Sequence, residues 1–229
     1  FFVALGIGGL QGCSGNNNNG LQGAGAPAFP PGDGNLYVAN GGTGSLLSFD
    51  EALTAEGNLS PNRHFPETLA GPTGLFLDQT TDTLYVANTG ENAILIYEKA
   101  SALEPPVGTA SATRVISGPK TGLRRPTAVA YDAARQRLYV ANEGGTPSIR
   151  VFQPGCSGAT QLNGDIAPCN VISDPSTLLS SPGSLALDPG RDILYVSNGG
   201  TGDILVYENV SQSSTQGDLP PARTFPLSQ

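Results

Sequence analysis

The amino-acid sequence predicts an all-β fold built from four repeats of four short strands, and three observations support this prediction. The phrase Tyr-Val-Ala-Asn, with Ser for Ala in the last copy, recurs at spacings of about fifty residues, the length of a propeller blade. The chain contains 31 Gly and 19 Pro in 229 residues. Short apolar runs bounded by these turn formers are typical of strands. The four copies of the phrase occupy residues 37–40, 85–88, 139–142 and 195–198.

Each repeat supplies its predicted strands in a fixed order. An apolar run that ends in Asp comes first in three copies, at 74–78, 128–132 and 184–188. The Tyr-containing phrase is the second strand. A third strand follows a Gly-rich turn, at 46–49, 94–97, 149–152 and 204–207. A variable polar loop leads to the fourth strand, at 63–65, 114–116, 170–172 and 223–225.

The strands are apolar at nearly every position, which predicts sheets that are covered on both faces. Neighbouring blades of a β-propeller provide such cover. We therefore expect blades at about 34–66, 67–117, 118–173 and 174–229. Closed propellers typically have four to eight blades. Because the chain ends where another repeat would begin, we expect these blades to be an incomplete part of a five- to seven-bladed propeller.

From about residue 34 to its end the chain resembles the NHL/YVTN class of β-propeller, on the Tyr-Val-Ala-Asn phrase and the preceding Pro-x-Gly-x-x-x-Asp run. That class includes bacterial lactonase-like and gluconolactonase-like propellers. The resemblance implies the fold and leaves the activity open, because propellers support hydrolases, oxidoreductases and pure binding modules alike.

The N-terminal residues have the pattern of an export signal. Residues 1–10 are apolar and lead into Leu10-Gln11-Gly12-Cys13, which is similar to the bacterial lipobox. We expect residues 1–12 to be a lipoprotein signal peptide that lacks its Met and basic start, Cys13 to carry acyl chains, and 13–33 to be a flexible tether. The alternative is a free thiol at Cys13. Ser14, where many inner-membrane lipoproteins have Asp, implies by resemblance the outer membrane or cell surface of the bacterial envelope.

The net charge argues against one class of partner, and the two remaining cysteines indicate a disulfide. The net charge is −8, and no basic stripe exists that would neutralise phosphates, so we do not expect a nucleic-acid partner. Cys156 and Cys169 lie in one polar insertion of the third repeat. In an exported chain such a pair is predicted to form a disulfide. A metal-binding pair is the alternative, but no His or acidic cluster accompanies the two residues.

Polar residues recur at one predicted end of the sheets. Because the first two strands of a blade are antiparallel, the Asn that closes the second strand should lie beside the residues that open the first. This end is a candidate ligand face; alternatively, each Asn simply stabilises the turn that follows it. The residues of this candidate face are Asn40, Asn88, Asn142, Asn198, Thr73 and Thr127.

Other polar residues give no catalytic signature. The Asp residues that close the first strands, Asp78, Asp132 and Asp188, are expected to cap turns at the opposite end. His64 is the single histidine, and it stands on a predicted outermost strand. Glu91 and Glu143 follow the Asn turns in two repeats only. The sequence therefore predicts no catalytic residue, no metal ligand and no cofactor.

The favoured interpretation is an extracytoplasmic, lipid-anchored propeller that acts as a ligand- or protein-binding or scaffold module. Its expected partners are the membrane, through the lipid anchor, and an unidentified protein or small molecule. A metal-dependent lactonase or gluconolactonase-like hydrolase, with its site completed by further blades, is the alternative. A structural role in a surface layer is a third.

We predict that the Cys13→Ala variant of the full-length protein moves from the membrane to the soluble fraction, because a lipid-anchored chain loses its acyl chains with the thiol. Fractionation of cells with detection by immunoblot measures this partition. Unchanged membrane association of the variant would contradict the lipid anchor.

Overall fold

The computed structural model describes residues 2–5, 34–50, 56–65, 69–103, 111–173, 175–212 and 219–226. Cys13 and most of the predicted leader and tether lie outside these residues. The described chain forms four antiparallel sheets of four strands each, with strands in sequence order from one edge to the other. The remaining regular elements are single 3₁₀ turns. The predicted all-β architecture of four-stranded propeller blades is confirmed.

The strand bounds follow the predicted order within each blade. Blade 1 contains β1 (Phe2–Leu5), β2 (Leu36–Asn40), β3 (Ser45–Phe49) and β4 (Arg63–Phe65). Blade 2 contains β5 (Pro72–Asp78), β6 (Thr83–Asn88), β7 (Ala93–Glu98) and β8 (Arg114–Ile116). Blade 3 contains β9 (Pro126–Asp132), β10 (Arg137–Asn142), β11 (Ser148–Phe152) and β12 (Asn170–Ile172). Blade 4 contains β13 (Pro182–Asp188), β14 (Ile193–Asn198), β15 (Asp203–Glu208) and β16 (Arg223–Pro226).

The core lies between the blades and is divided into three clusters, one for each pair of neighbours. Alternate residues of one strand serve opposite neighbours, as the period of two in a β-strand requires. In β6, Leu84 and Val86 pack towards blade 1, whereas Tyr85 and Ala87 pack towards blade 3. Both faces of an interior blade are therefore apolar, which explains the continuous apolar runs in the sequence.

The two end blades show the same alternation, because residues on their outer faces are only half-buried. In β2 the residues facing blade 2, Tyr37 and Ala39, are fully buried, while Leu36 and Val38 are half-buried. In β14 the residues facing blade 3 are buried, and Tyr195 on the outer face is half-buried. The described blades therefore form an arc in which blade 2 packs on 1, blade 3 on 2, and blade 4 on 3.

The first strand of blade 1 was not anticipated from the sequence. Phe2–Leu5, which falls inside the predicted signal peptide, pairs antiparallel with Leu36–Asn40. In the other blades this place is taken by a run beginning with Pro, and the first repeat has no such run directly before β2. This pairing satisfies the backbone N–H and C=O groups along one edge of β2, which would otherwise be unpaired.

The predicted disulfide is present. Cys156 and Cys169 are bonded, with their Cα atoms 5.4 Å apart, and they close the insertion between β11 and β12. The bridge fixes the ends of the longest polar insertion in blade 3. In the chain-entropy model a loop of this size contributes about 3 kcal/mol to the free energy of unfolding.

We predict that Gly74→Ala lowers the free energy of unfolding by about 1–3 kcal/mol, as overpacking of a close contact does. A Cβ at Gly74 would stand 2.6 Å from the Ala128 Cα atom and 2.6 Å from the Thr127 carbonyl oxygen in blade 3. Gly183→Ala is the matched control, because its Cβ would meet only Ser197, within its own blade, at 3.2 Å from the hydroxyl and 4.0 Å from the carbonyl oxygen. Equal denaturation midpoints for the two variants would contradict this close approach of blades 2 and 3.

Candidate functional site

The Asn residues and the entry strands do meet at one end of the sheets, as the antiparallel order predicts. Pro72 pairs with Asn88, Pro126 with Asn142, and Pro182 with Asn198. We call this the Asn-bearing end. A break in register accompanies each pair, so the first strand bends away as it enters the blade.

Asn142 and Asn198 use their side chains to hold the segment that links one blade to the next. The Asn142 Oδ1 atom accepts from the Arg124 N–H at 2.6 Å, and its Nδ2 donates to the Gly144 carbonyl at 3.1 Å. In blade 4, the Asn198 Oδ1 atom accepts from the Ser180 N–H, also at 2.6 Å. Both side chains are buried. Their contacts are structural, and they reach a segment 18 residues upstream as well as the turn that follows.

Asn88 and Asn40 depart from this arrangement. The buried Asn88 donates from Nδ2 to the Glu91 carboxylate at 2.7 Å, while its Oδ1 atom has no hydrogen-bond partner in the described structure. Asn40 is half-buried. The four Asn residues therefore do not form one uniform ring of ligands.

Thr73 connects blade 2 to blade 3, and Thr127 connects blade 3 to blade 4. The Thr73 hydroxyl donates to the Thr127 carbonyl at 2.9 Å, and the Thr127 hydroxyl donates to the Pro182 carbonyl at 2.7 Å. Thr89 donates to the Pro126 carbonyl at 2.7 Å. The Thr73 and Thr127 hydroxyls thus bridge the entry strands of successive blades, and Thr89 joins the turn after β6 to the entry strand of blade 3.

The Asp residues at the opposite end cap the turns that follow their strands. Asp132 accepts from the backbone N–H of Arg135 and pairs with its guanidinium, and Asp188 does the same with Arg191. The backbone N–H of Arg191 is the main cause that lowers the pKa of Asp188. Asp78 accepts from Thr80 and Thr81. His64 is exposed on the outermost strand of blade 1.

A cavity of about 680 Å³ opens at the Asn-bearing end between blades 2 and 3. We call it the interblade pocket. Its walls are the turn after β6, the link between the two blades, and the turn after β10. The residues that line it are Glu91, Asn92, Gly118, Pro119, Gly122, Leu123, Arg124, Arg125, Gly144 and Gly145.

Three arginines give the interblade pocket its electrostatic character. Arg124 and Arg125 line it directly, and the Arg150 guanidinium packs against Gly122 in its wall. Arg125 forms an ion pair with Glu143 at 3.0 Å. Burial lowers the pKa of Arg150, and the charge of Arg124 lowers it further. Carboxylates accompany these guanidinium groups: Glu91 lines the pocket, Glu143 pairs with Arg125, and the Asp165 carboxylate packs against Gly118. Arg124 and Arg150 form no ion pair within the described residues.

No function was predicted from the sequence for Arg124, Arg125 or Arg150. The sequence does mark Arg150 as unusual. It is a charged residue within the third-strand run Ile-Arg-Val-Phe, whereas the corresponding runs of the other repeats contain no polar residue other than one Ser and the final Tyr. The placement of all three beside one cavity depends on the course of the link from 117 to 125 and on the packing of blade 3 against blade 2.

Two further properties bear on the chemistry of this region. Within the described ranges, no group of three or more His, Cys, Asp and Glu side chains is arranged to hold a metal ion. In the same part of the chain, no helix has the length and apolar character needed to cross a membrane.

Comparison with solved structures shows the fold class of the relatives. The periplasmic gluconolactonase of Pseudomonas aeruginosa is 15% identical, with a TM-score of 0.56, and the match covers 85% of this chain and 51% of that one. The hydrazine synthase of Kuenenia stuttgartiensis is 12% identical, with a TM-score of 0.55, over 83% and 45% of the two chains. A chain of the nidogen/laminin complex is 13% identical, with a TM-score of 0.53, over 84% and 62%.

At these identities the likeness shows the fold alone. The chain spans about half the length of the gluconolactonase that it matches. No family model matches the sequence, and no curated protein matches it significantly.

We predict that Asn142→Ala lowers the free energy of unfolding by about 1–3 kcal/mol, because it leaves the Arg124 N–H and the Gly144 carbonyl without their partner. Thermal or urea denaturation measures the loss. Asn163→Ala is the control: its Oδ1 atom also accepts a backbone N–H, from Val115, but at an exposed position where water replaces the contact. Similar losses in both variants would argue against the structural role of Asn142.

Proposed function

We propose that this protein is an exported, lipid-anchored β-propeller that acts as a binding module, with the interblade pocket as its ligand site. The observation that carries the proposal is the pocket itself. At the same end, the Asn142, Asn198, Thr73 and Thr127 side chains are engaged in contacts within the protein, whereas the pocket remains open and is lined by charged groups. Concave sites with a few convergent polar groups are where proteins usually bind small molecules.

Two features support export. The Cys156–Cys169 disulfide is of the kind that persists in oxidising compartments, and the lipobox-like Leu10-Gln11-Gly12-Cys13 precedes a Gly- and Asn-rich stretch. Cleavage before Cys13 would also remove β1, so the mature blade 1 would present the Leu36–Asn40 edge unpaired.

A second candidate is a lactone hydrolase, and its support is the fold shared with a solved gluconolactonase. Such an enzyme of the metal-dependent kind needs several carboxylate or amide ligands around one ion. Glu91 is the one carboxylate among the residues lining the interblade pocket. The ligand set would therefore have to come from residues beyond those described, and we favour the binding module.

The binding site is tested with a pair of variants at equivalent repeat positions. Glu91 and Thr201 each stand three residues after the Asn of their blade and accept from its Nδ2 atom. A Trp side chain at Glu91 would fill the interblade pocket, whereas a Trp at Thr201 would not reach it. We predict that small molecules found by ligand-observed NMR screening of the wild-type protein bind Glu91→Trp at least about tenfold more weakly, a loss of about 1.4 kcal/mol.

The same molecules should bind Thr201→Trp with unchanged affinity. Equal loss in both variants, or in neither, would place binding outside the interblade pocket and contradict the proposal.

The hydrolase alternative has its own measurement. We expect that glucono-δ-lactone opens at its spontaneous rate in the presence of the protein, with or without added Ca²⁺ or Mg²⁺, as followed by pH-stat titration. Metal-dependent turnover above that rate would favour the enzyme over the binding module.

A further inference from the structure

The arginines around the interblade pocket occupy positions that are not arginine in any other described blade. Arg150, in β11, pairs with Val140, in β10. The residues with the same register in the other third strands are all leucine, namely Leu47, Leu95 and Leu205. A position that three blades fill with Leu is a core position of the repeat, so Arg150 is an exception to the repeat.

The link shows the same kind of exception. Arg124 donates its N–H to Asn142 as Ser180 does to Asn198, and its carbonyl accepts from Gly144 as that of Ala70 does from Gly90. Arg125 takes the left-handed backbone conformation, with φ of 50°, at the place where the other links have Gly71 and Ser181. Small residues therefore satisfy the backbone geometry elsewhere, and the two long cationic side chains are additions specific to this junction.

Arg150 is poorly satisfied by the protein. Its Nε atom is buried without a hydrogen-bond partner in the described structure, and its Nη1 atom donates a long hydrogen bond to the Thr121 carbonyl, at 3.4 Å. Burying a charged group without a counter-charge opposes folding. Folding alone would therefore favour the Leu that the other blades carry at this position.

Neither Arg124 nor Arg150 has a carboxylate partner within the described residues. Six of the nine arginines form ion pairs within the described residues. Two of the other three are Arg124 and Arg150, which are close enough for the charge of Arg124 to affect Arg150. Of the nearby carboxylates, Glu143 forms an ion pair with Arg125. Glu91 and Asp165 accept hydrogen bonds from neutral donors, the Asn88 amide and the Lys120 backbone N–H, and neither forms an ion pair with Arg124 or Arg150.

We propose that the interblade pocket binds a small molecule through an anionic group, a carboxylate or a phosphate, held between Arg124 and Arg150. This inference rests on the proposed function, since it names the ligand class for the same pocket. Guanidinium groups bind such oxygen pairs in two-pronged geometry. The anion supplies the negative charge that the two arginines lack, and Leu123 and Pro119 offer apolar wall to the rest of the molecule.

The test compares malonate, its neutral amide malonamide and inorganic phosphate, titrated into the full 229-residue chain and followed by backbone amide shifts. We expect malonate, phosphate or both to bind and to shift the amides of Gly122, Arg124 and Gly144, with malonamide inactive. Saturation by malonate alone assigns a carboxylate ligand, and saturation by phosphate alone assigns a phosphate ligand.

Three variants separate a specific site from general attraction of anions. Arg150→Leu restores the residue of the other blades, so it should fold and melt a few degrees higher than wild type, and it should bind the anion at least about tenfold more weakly. Arg150→Lys keeps the charge and should retain a larger share of the affinity. Arg223→Leu removes an exposed arginine of blade 4 and should bind like wild type.

Equal affinity of wild type and Arg150→Leu, or equal losses in Arg150→Leu and Arg223→Leu, would overturn the proposal. Absence of any shift at Gly122 and Gly144 with either anion would do the same. In these cases the binding module would still stand if neutral molecules from the screen lost affinity in Glu91→Trp and not in Thr201→Trp.

Discussion

Mutual burial of neighbouring sheets is the constraint on which this structure depends. A four-stranded blade has two apolar faces, and a neighbouring blade that covers a face stabilises it by removing apolar surface from water. The period of two along β6 and β10 provides this cover, because the Tyr and Ala of each phrase face the next blade and the preceding Leu and Val face the previous one. The repeated phrase therefore reflects packing on both faces of the strand. It recurs because each blade packs on its neighbours in the same way.

Two sets of polar contacts then fix how the blades follow one another at the Asn-bearing end. Side-chain amides hold the link against the turn of its own blade, and Thr hydroxyls join one entry strand to the next. These contacts recur and so belong to the scaffold. The junction of blades 2 and 3 differs: its link carries two arginines, and a third replaces a core Leu beneath it. A departure from a repeat that opposes stability is a stronger indication of function than a polar residue that every repeat shares.

The strands, the turn-capping Asp residues and the disulfide followed from the sequence because each depends on local pattern or on a single pair of residues. The meeting of Pro126 and Asn142 followed from antiparallel order alone. The interblade hydrogen bonds of Thr73 and Thr127 could not be predicted from the sequence, because they depend on how closely adjacent entry strands approach. The arginine site could not be assembled from sequence either: Arg150 is 25 residues beyond Arg125, and only the fold brings β11 under the link. The strand at Phe2–Leu5 was missed because its apolar run fits an export signal equally well.

Each of the other described blades carries a leucine at the position of Arg150, namely Leu47, Leu95 and Leu205. Exchange of that one residue, together with the two small residues of the link, alters the chemistry of a junction while leaving the tyrosine and alanine contacts of the blade intact. The scaffold thus offers several equivalent places at which recognition can evolve without redesign of the fold. A change of ligand in related chains need involve no new loop and no new strand.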